Sequence, residues 1–188
     1  MMKQRLVKHY DHQRDAHMLT FSCFHRLPLL SKERTILWFV QAVARSRIKY
    51  QFDLWAWVAM PDHAHVLIWP REEGYSTAVI LKSIKTSVGK RAIGYLRQHH
   101  PRYLNKLKLI TGSKVEYHFW QDGPGHDRNL NEPAAIHEEI RYIHDNPEKA
   151  GLVDKAINWR WSSEIAWVGE ETQLLPIDMH SVPRIVSH

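Results

Sequence analysis

Residues 50–69 read YQFDLWAWVA, then MPD, then HAHVLIW. The first ten are rich in the aromatic and β-branched residues that favour strands. Met60-Pro61-Asp62 predicts a short turn, because proline presets its backbone and aspartate bonds its own main chain. Residues 63–69 then resume as a strand, so the segment predicts an antiparallel hairpin. Side chains alternate along a strand, so His63 and His65 project from one face, with Cα atoms roughly 6.5–7 Å apart. One ion can bridge them. Ala64, Val66 and Ile68 form the opposite, apolar face. Asp62 suits the turn, with a role as acceptor for an imidazole as the lesser alternative. The chain has 14 histidines, so a chance pair on a half-exposed strand competes with a metal half-site.

Working outward, residues 17–24 (HMLTFSCF) predict a first strand, in which Cys23 is a small apolar residue. Residues 27–31 connect it to a helix over 32–47 with Ile36, Phe39, Val40 and Val43 on one face and Ser31 as its cap. After a break at residues 70–75, a long helix over 76–97 carries Ile80, Leu81, Ile84 and Val88 on one side. Lys82, Lys85, Lys90, Arg91 and Arg97 supply a basic surface. Residues 114–120 (KVEYHFW) predict a fourth strand, and 122–131 a polar loop. A last helix runs from Glu132 to about Asp145 and ends at Asn146-Pro147, since proline disfavours helical backbone in the residue before it. The order β-α-β-β-α-β-α implies an α+β fold, an antiparallel β-sheet with packed helices. Residues 1–15 are read as a basic N-terminal arm, 16–168 as a single domain and 169–188 as a C-terminal tail.

A 188-residue chain with 44% apolar residues has enough material for a core without disulfide or metal. One cysteine excludes an intramolecular disulfide and a Cys-rich zinc site. There is no apolar run at the start and no membrane-length apolar stretch, so a cytoplasmic location, associated with the nucleoid, and no membrane partner are expected. A net charge of +6 favours an anionic partner, nucleic acid first.

The last helix holds the other candidates. Ile136, Ile140 and Ile143 of IHEEIRYIHDNP (136–147) share one face. Tyr142 lies at the border of that stripe, and Asn146 follows one turn later. Tyrosine can act as a covalent nucleophile, and an amide oxygen can ligate a cation. An amphipathic tyrosine at a core edge and a helix-ending asparagine are the commoner roles for such residues. His137 and His144 are expected at the surface. Trp55, Trp57 and Trp69 are expected in the core, with Trp159 and Trp161 bracing the Tyr142 helix.

Pro61-Asp62-His63-Ala64-His65 resembles the paired-histidine strand of HUH enzymes. Tyr142-Ile143-His144-Asp145-Asn146-Pro147-Glu148-Lys149-Ala150-Gly151-Leu152-Val153, followed by Trp159-Arg160-Trp161-Ser162-Ser163, resembles the C-terminal half of REP-associated tyrosine transposases. These are relatives of the small single-tyrosine insertion-sequence transposases. Leu81-Lys82-Ser83-Ile84-Lys85 and Phe119-Trp120-Gln121 fall where that family has similar segments. The likeness runs from about residue 16 to residue 165. Ala64 departs from it, being small where the superfamily prefers a bulkier residue, and so does the polar loop from Gly123 to Asn131.

The resemblance implies a ferredoxin-like HUH endonuclease fold and a metal-dependent single-stranded DNA endonuclease and strand transferase. In it Tyr142 attacks a DNA phosphate to form a 5′-phosphotyrosine. His63, His65 and Asn146 would ligate the metal, Mg²⁺ in cells with Mn²⁺ also supporting activity. Zinc fits less well, for want of a fourth ligand. Lys82, Lys85, Lys90 and Arg91 would contact DNA phosphates, although each taken singly is as readily a solvated helix residue. The implied substrate is a hairpin-forming palindromic repeat. The REP-associated branch suggests a monomer and the wider family a homodimer. A domesticated, non-cleaving repeat-binding protein and a phosphodiesterase using activated water remain as alternatives.

Overall fold

The computed structural model describes residues 15–123, 125–170 and 174–185. The expected N-terminal arm lies outside them, apart from Asp15. The central hairpin pairs β2 (Phe52–Ala59) with β3 (His63–Pro70), from Ala59↔Ala64 out to Phe52↔Pro70. Met60 N donates to His63 O at 2.8 Å and closes the turn. β1 (Ala16–Ser22) pairs antiparallel with β3, Thr20 opposite His65. α1 (Glu33–Tyr50) joins β1 to β2, and α2 (Thr77–His99) follows β3. Ser76 caps α2, its side chain accepting from Val79 N. Ser31 does not cap α1. Its hydroxyl donates instead to Pro28 O at 2.7 Å, and Lys32 occupies the cap position.

Beyond α2 come a short α3 (Pro101–Leu104) and a separate two-stranded ribbon, β4 (Lys108–Thr111) with β5 (Lys114–Tyr117). The expected fourth strand at 114–120 is thus only half a strand, and it lies outside the main sheet. Phe119 and Trp120 turn inward, where Trp120 Nε1 donates to Lys85 O at 3.1 Å. The fourth strand of the main sheet is β6 (His126–Leu130), inside the segment expected to be a polar loop, and it pairs with β1. Its polarity hid it, because its charges are spent on partners: Asp127 on His17 at 2.9 Å, and Arg128 on Glu139 at 2.8 Å. An edge strand so neutralised shows no apolar alternation.

The sheet order is β2-β3-β1-β6, all antiparallel, which is the ferredoxin-like βαββαβ arrangement. α1 and α2 cover one face. Ile36, Phe39 and Val43 of α1 and Ile80, Ile84 and Val88 of α2 pack on Leu19, Phe21, Ala64, Val66 and Ile68. α4 (Pro133–Lys149) covers the other face through Ile136, Ile140 and Ile143 against Met18, Val58 and Leu67. A bulge between Leu54 and Ala56 reverses the phase of β2. Leu54 and Trp57 therefore face α1 and α2, whereas Trp55, Ala56 and Val58 face α4. Trp55 and Trp57 are buried as expected, and Trp69 stacks on Trp55 at 6.0 Å while only half-buried.

α4 does not stop at Asn146-Pro147. Proline removes the N–H that would bond Ile143 O. The Asn146 side chain supports that turn instead, its Nδ2 donating to Tyr142 O at 2.6 Å and lying 3.5 Å from Ile143 O. The actual stop is Gly151, at φ +67°. Leu152 N donates to Pro147 O and Gly151 N to Glu148 O, both at 2.9 Å, which is a Schellman closure. Residues 159–163 then return to β2, where Ala59 N donates to Trp161 O at 2.8 Å, and α5 (Glu164–Trp167) follows. Within the expected tail, residues 174–185 dock on the domain. Leu54 N donates to Asp178 Oδ2 at 2.8 Å, Arg47 pairs with Asp178, and Trp55 Nε1 donates to Ser181 Oγ at 2.9 Å.

Candidate active site

β3 and α4 meet over the sheet face that carries His63 and His65. Alternation puts both imidazoles on that face, since Ala64, Val66 and Ile68 are built into the opposite core. Their ring centroids are 5.0 Å apart, nearly perpendicular. The Tyr142 ring, delivered by α4, sits 5.8 Å from that of His65. Tyr142 is 43% exposed and His65 is 5% exposed. A half-exposed phenol at the solvent edge thus borders a buried imidazole.

Each histidine is oriented from outside the cluster. Asp62 Oδ1 accepts from His63 Nδ1 at 2.6 Å, so the proton belongs on Nδ1 and the lone pair on Nε2. Arg26 Nε, at 2.9 Å from Asp62 Oδ2, fixes the carboxylate in turn. Asp62 therefore does more than turn the chain. Thr20 Oγ1, on neighbouring β1, is 3.0 Å from His65 Nδ1. Thr20 Oγ1 also lies 3.3 Å from Met18 Sδ, and with its proton on that sulfur it accepts from Nδ1. Ligating histidines are commonly held this way, through the ring nitrogen that does not face the metal.

Asn146 lies one turn beyond Tyr142. It meets the Tyr142 and Ile143 carbonyls through Nδ2, so its amide oxygen points away from them. Lys149 Nζ approaches the Tyr142 ring at 5.8 Å and pairs with Asp145 at 3.1 Å. Among the described residues no group of three or more His, Cys, Asp or Glu is arranged to hold a metal ion. Two imidazoles side by side fit a divalent cation as a half-site, and the Asn146 amide oxygen is a candidate third ligand.

His144 is not at the surface. It is buried between Ser163 Oγ, 2.8 Å from Nε2, and Glu164 Oε2, 2.7 Å from Nδ1. Ser163 Oγ also accepts from Trp57 N at 2.9 Å. This chain of bonds ties the Tyr142 helix to β2. His137 is half-buried and bonds Pro183 O at 2.8 Å. Trp159 packs between the two cores and donates to Ala59 O at 3.0 Å, but Trp161 packs into the α1/α2 core. Thr20 and the His144 network were missed from sequence, and the orienting role of Asp62 was the less favoured of its two readings. Only Trp159-Arg160-Trp161-Ser162-Ser163 hinted at the His144 network.

The basic residues of α2 are not gathered at this site, because α2 lies on the opposite face of the sheet. Lys85 donates to Gln121 O and Gly123 O, both at 2.9 Å, and burial pushes its ammonium below the ordinary lysine range against the pull of Asp122. Arg91 bonds Gln41 at 2.7 Å and lies over Trp38. Lys82 and Lys90 are exposed.

Two histidines on a central antiparallel strand, facing a tyrosine on the helix across it, define a His-His-Tyr site on a ferredoxin-like sheet. No family model matches the chain. The chain is 28% identical over 114 residues to a Haemophilus influenzae protein assigned as a REP-associated tyrosine transposase, covering 61% of this chain and 60% of that protein. It thus spans about 60% of the length of the curated relative it matches. A solved structure of a REP-associated tyrosine transposase bound to a REP hairpin matches 98% of this chain and 100% of that one, with a TM-score of 0.67 and 18% identity. At that identity the fold is what the two share. The family that the motifs resemble is the one both comparisons return. Among the described residues no helix is long and apolar enough to cross a membrane.

Proposed function

We propose that this chain is a tyrosine transposase of the REP-associated kind, which nicks and rejoins single-stranded DNA at hairpin-forming repeats. The observation that carries the reading is the approach of Tyr142 to His65, with the two rings 5.8 Å apart across the seam between α4 and β3. Tyr142 Oη attacks the scissile phosphorus, an O–P bond forms, and the bond to the departing 3′-oxygen breaks. The products are a 5′-phosphotyrosine and a 3′-hydroxyl. In the reverse step a 3′-hydroxyl attacks the same phosphorus and releases the tyrosine. The covalent link conserves the phosphodiester energy, so joining needs no external source.

His63 and His65, with the Asn146 amide oxygen, would hold a divalent cation, Mg²⁺ or Mn²⁺. Such an ion polarises the scissile phosphate and offsets the charge that develops on its oxygens. Asp62 and Thr20 keep the two imidazoles in the ligating tautomer. His144 fixes the rotation of α4, and with it the direction of the Tyr142 side chain. Lys82 and Lys90 remain available for DNA phosphates, whereas Lys85 and Arg91 serve chiefly to brace the fold.

The test uses a labelled single-stranded hairpin oligonucleotide, Mn²⁺ and a denaturing protein gel. The reading expects a DNA-linked protein band that disappears with a chelator and in Tyr142→Phe. Cleavage without an adduct, unchanged in Tyr142→Phe, would assign the site to activated water instead.

A further inference from the structure

The helical face of the molecule carries a second concavity, where the start of α1, the end of α2 and the 27–31 loop meet. It is a hollow of about 330 Å³ lined by Trp38, Tyr95 and Tyr103, with Arg34 and His100 at its edge. A neighbouring hollow of about 520 Å³ shares His100 and Tyr103 and adds Arg102 and Lys106. Among the described residues neither has a carboxylate in its lining. The three aromatic residues are only half-buried: Trp38 and Tyr103 pack one side against the α1/α2 core and leave part of each ring exposed. Each ring also has a cation over it: Arg34 at 3.9 Å from the Tyr95 centroid, Arg91 at 5.1 Å from Trp38, and Lys106 at 5.3 Å from Tyr103.

An apolar peptide would gain nothing from this ring of cations, and a small anion would not need the aromatic wall. A nucleotide uses both. Its base stacks on rings and guanidinium planes, and its phosphates meet the lysine and arginine heads. We propose that this hollow binds an unpaired base of a single-stranded DNA segment, with the flanking phosphates on Arg102 and Lys106. The inference deepens the proposed function and rests on it, by placing part of the unpaired DNA on the sheet face opposite His63. The two places are linked. Leu30 N, on the loop beside the hollow, donates to Pro61 O at 2.8 Å, and Arg26 bridges to Asp62 at 2.9 Å. Both therefore lie at the end of the sheet marked by the 60–62 turn, and a strand passing around that end reaches each.

The test uses a fluorescein-labelled twelve-residue oligo-dT, with a second version carrying one 4-thiothymidine for photocrosslinking. Base stacking is worth about 5- to 150-fold in affinity per base, so Tyr95→Ala and Trp38→Ala should each weaken oligo-dT binding about tenfold by anisotropy. Tyr95→Phe, which keeps the ring, should bind as the parent does. Crosslinks in the unsubstituted protein should fall on the tryptic peptides 35–45, 92–97 or 103–106. Crosslinks confined to other peptides, unchanged affinity in Tyr95→Ala, or no oligo-dT binding at all would overturn the proposal. The adduct assay on the same preparations separates the two readings. An adduct with crosslinks elsewhere overturns only the hollow, and crosslinks in the hollow without an adduct overturn only the enzyme.

Discussion

The two faces of the sheet are built to different rules. The face under α1 and α2 is closed, with Phe21, Phe39, Leu54, Val66 and Ile68 shut away from solvent, and its contacts are chiefly apolar. The face under α4 is covered by a single helix along one side, and polar groups fill the seam: His63, His65, Thr20, Glu139 and the His144 network. One face supplies stability in a form that tolerates no opening. The other trades apolar area for fixed polar geometry, which a reactive site needs and a core does not. The alternation of β3 separates the two within one strand, since Ala64 and His65 are neighbours in sequence and opposite in role.

Substitutions should break this contrast in different currencies. Phe39→Ala, in the closed face, should cost about 3–5 kcal/mol in urea unfolding. His144→Ala removes a buried partner of Ser163 and Glu164. It should cost about 1–3 kcal/mol and also slow adduct formation by more than that loss of folded protein accounts for, read at a temperature where the variant is fully folded. Asp62→Ala should leave stability nearly unchanged while weakening Mn²⁺ binding about 10- to 100-fold, measured by calorimetry, because His63 loses the group that orients it. Tyr142→Phe, at a half-exposed position, should shift stability by no more than about 0.5 kcal/mol.

A last difference concerns Cys23, in the closed face. Burial pushes its thiol from 9.0 up to about 12. Because the unfolded thiol ionises first, stability from this group is present below pH 9 and falls as pH rises from there toward 12. At pH 8 the native thiol should not react with a thiol-specific disulfide reagent, and it should react fully once the chain is unfolded.

The hairpin at 50–69 and the helices at 33–50 and 77–99 were legible because their apolar periodicity matches their burial. β6 was not, because its side chains bond to partners, Asp127 to His17 and Arg128 to Glu139, that only the folded sheet supplies. The end of α4 was misread because Pro147 is the louder signal, although Gly151 sets the stop. At the candidate site, the shared face of His63 and His65 follows from a period of two. Their approach to Tyr142 depends on α4 docking on that face, which the stripe Ile136, Ile140, Ile143 permits but does not compel. Thr20 and His144 were invisible for a related reason. The partners of His144 lie 19 and 20 residues downstream, and Thr20 lies 45 residues from His65.

The central claim is that Tyr142 becomes covalently joined to DNA. The direct measurement is mass spectrometry of the protease-digested adduct formed with a hairpin oligonucleotide and Mn²⁺. The account predicts a nucleotide phosphate on the peptide containing Tyr142, at that residue, and none when His63 and His65 are both replaced by alanine. A phosphate linked to a different residue, or an adduct that persists without the two histidines, would contradict it.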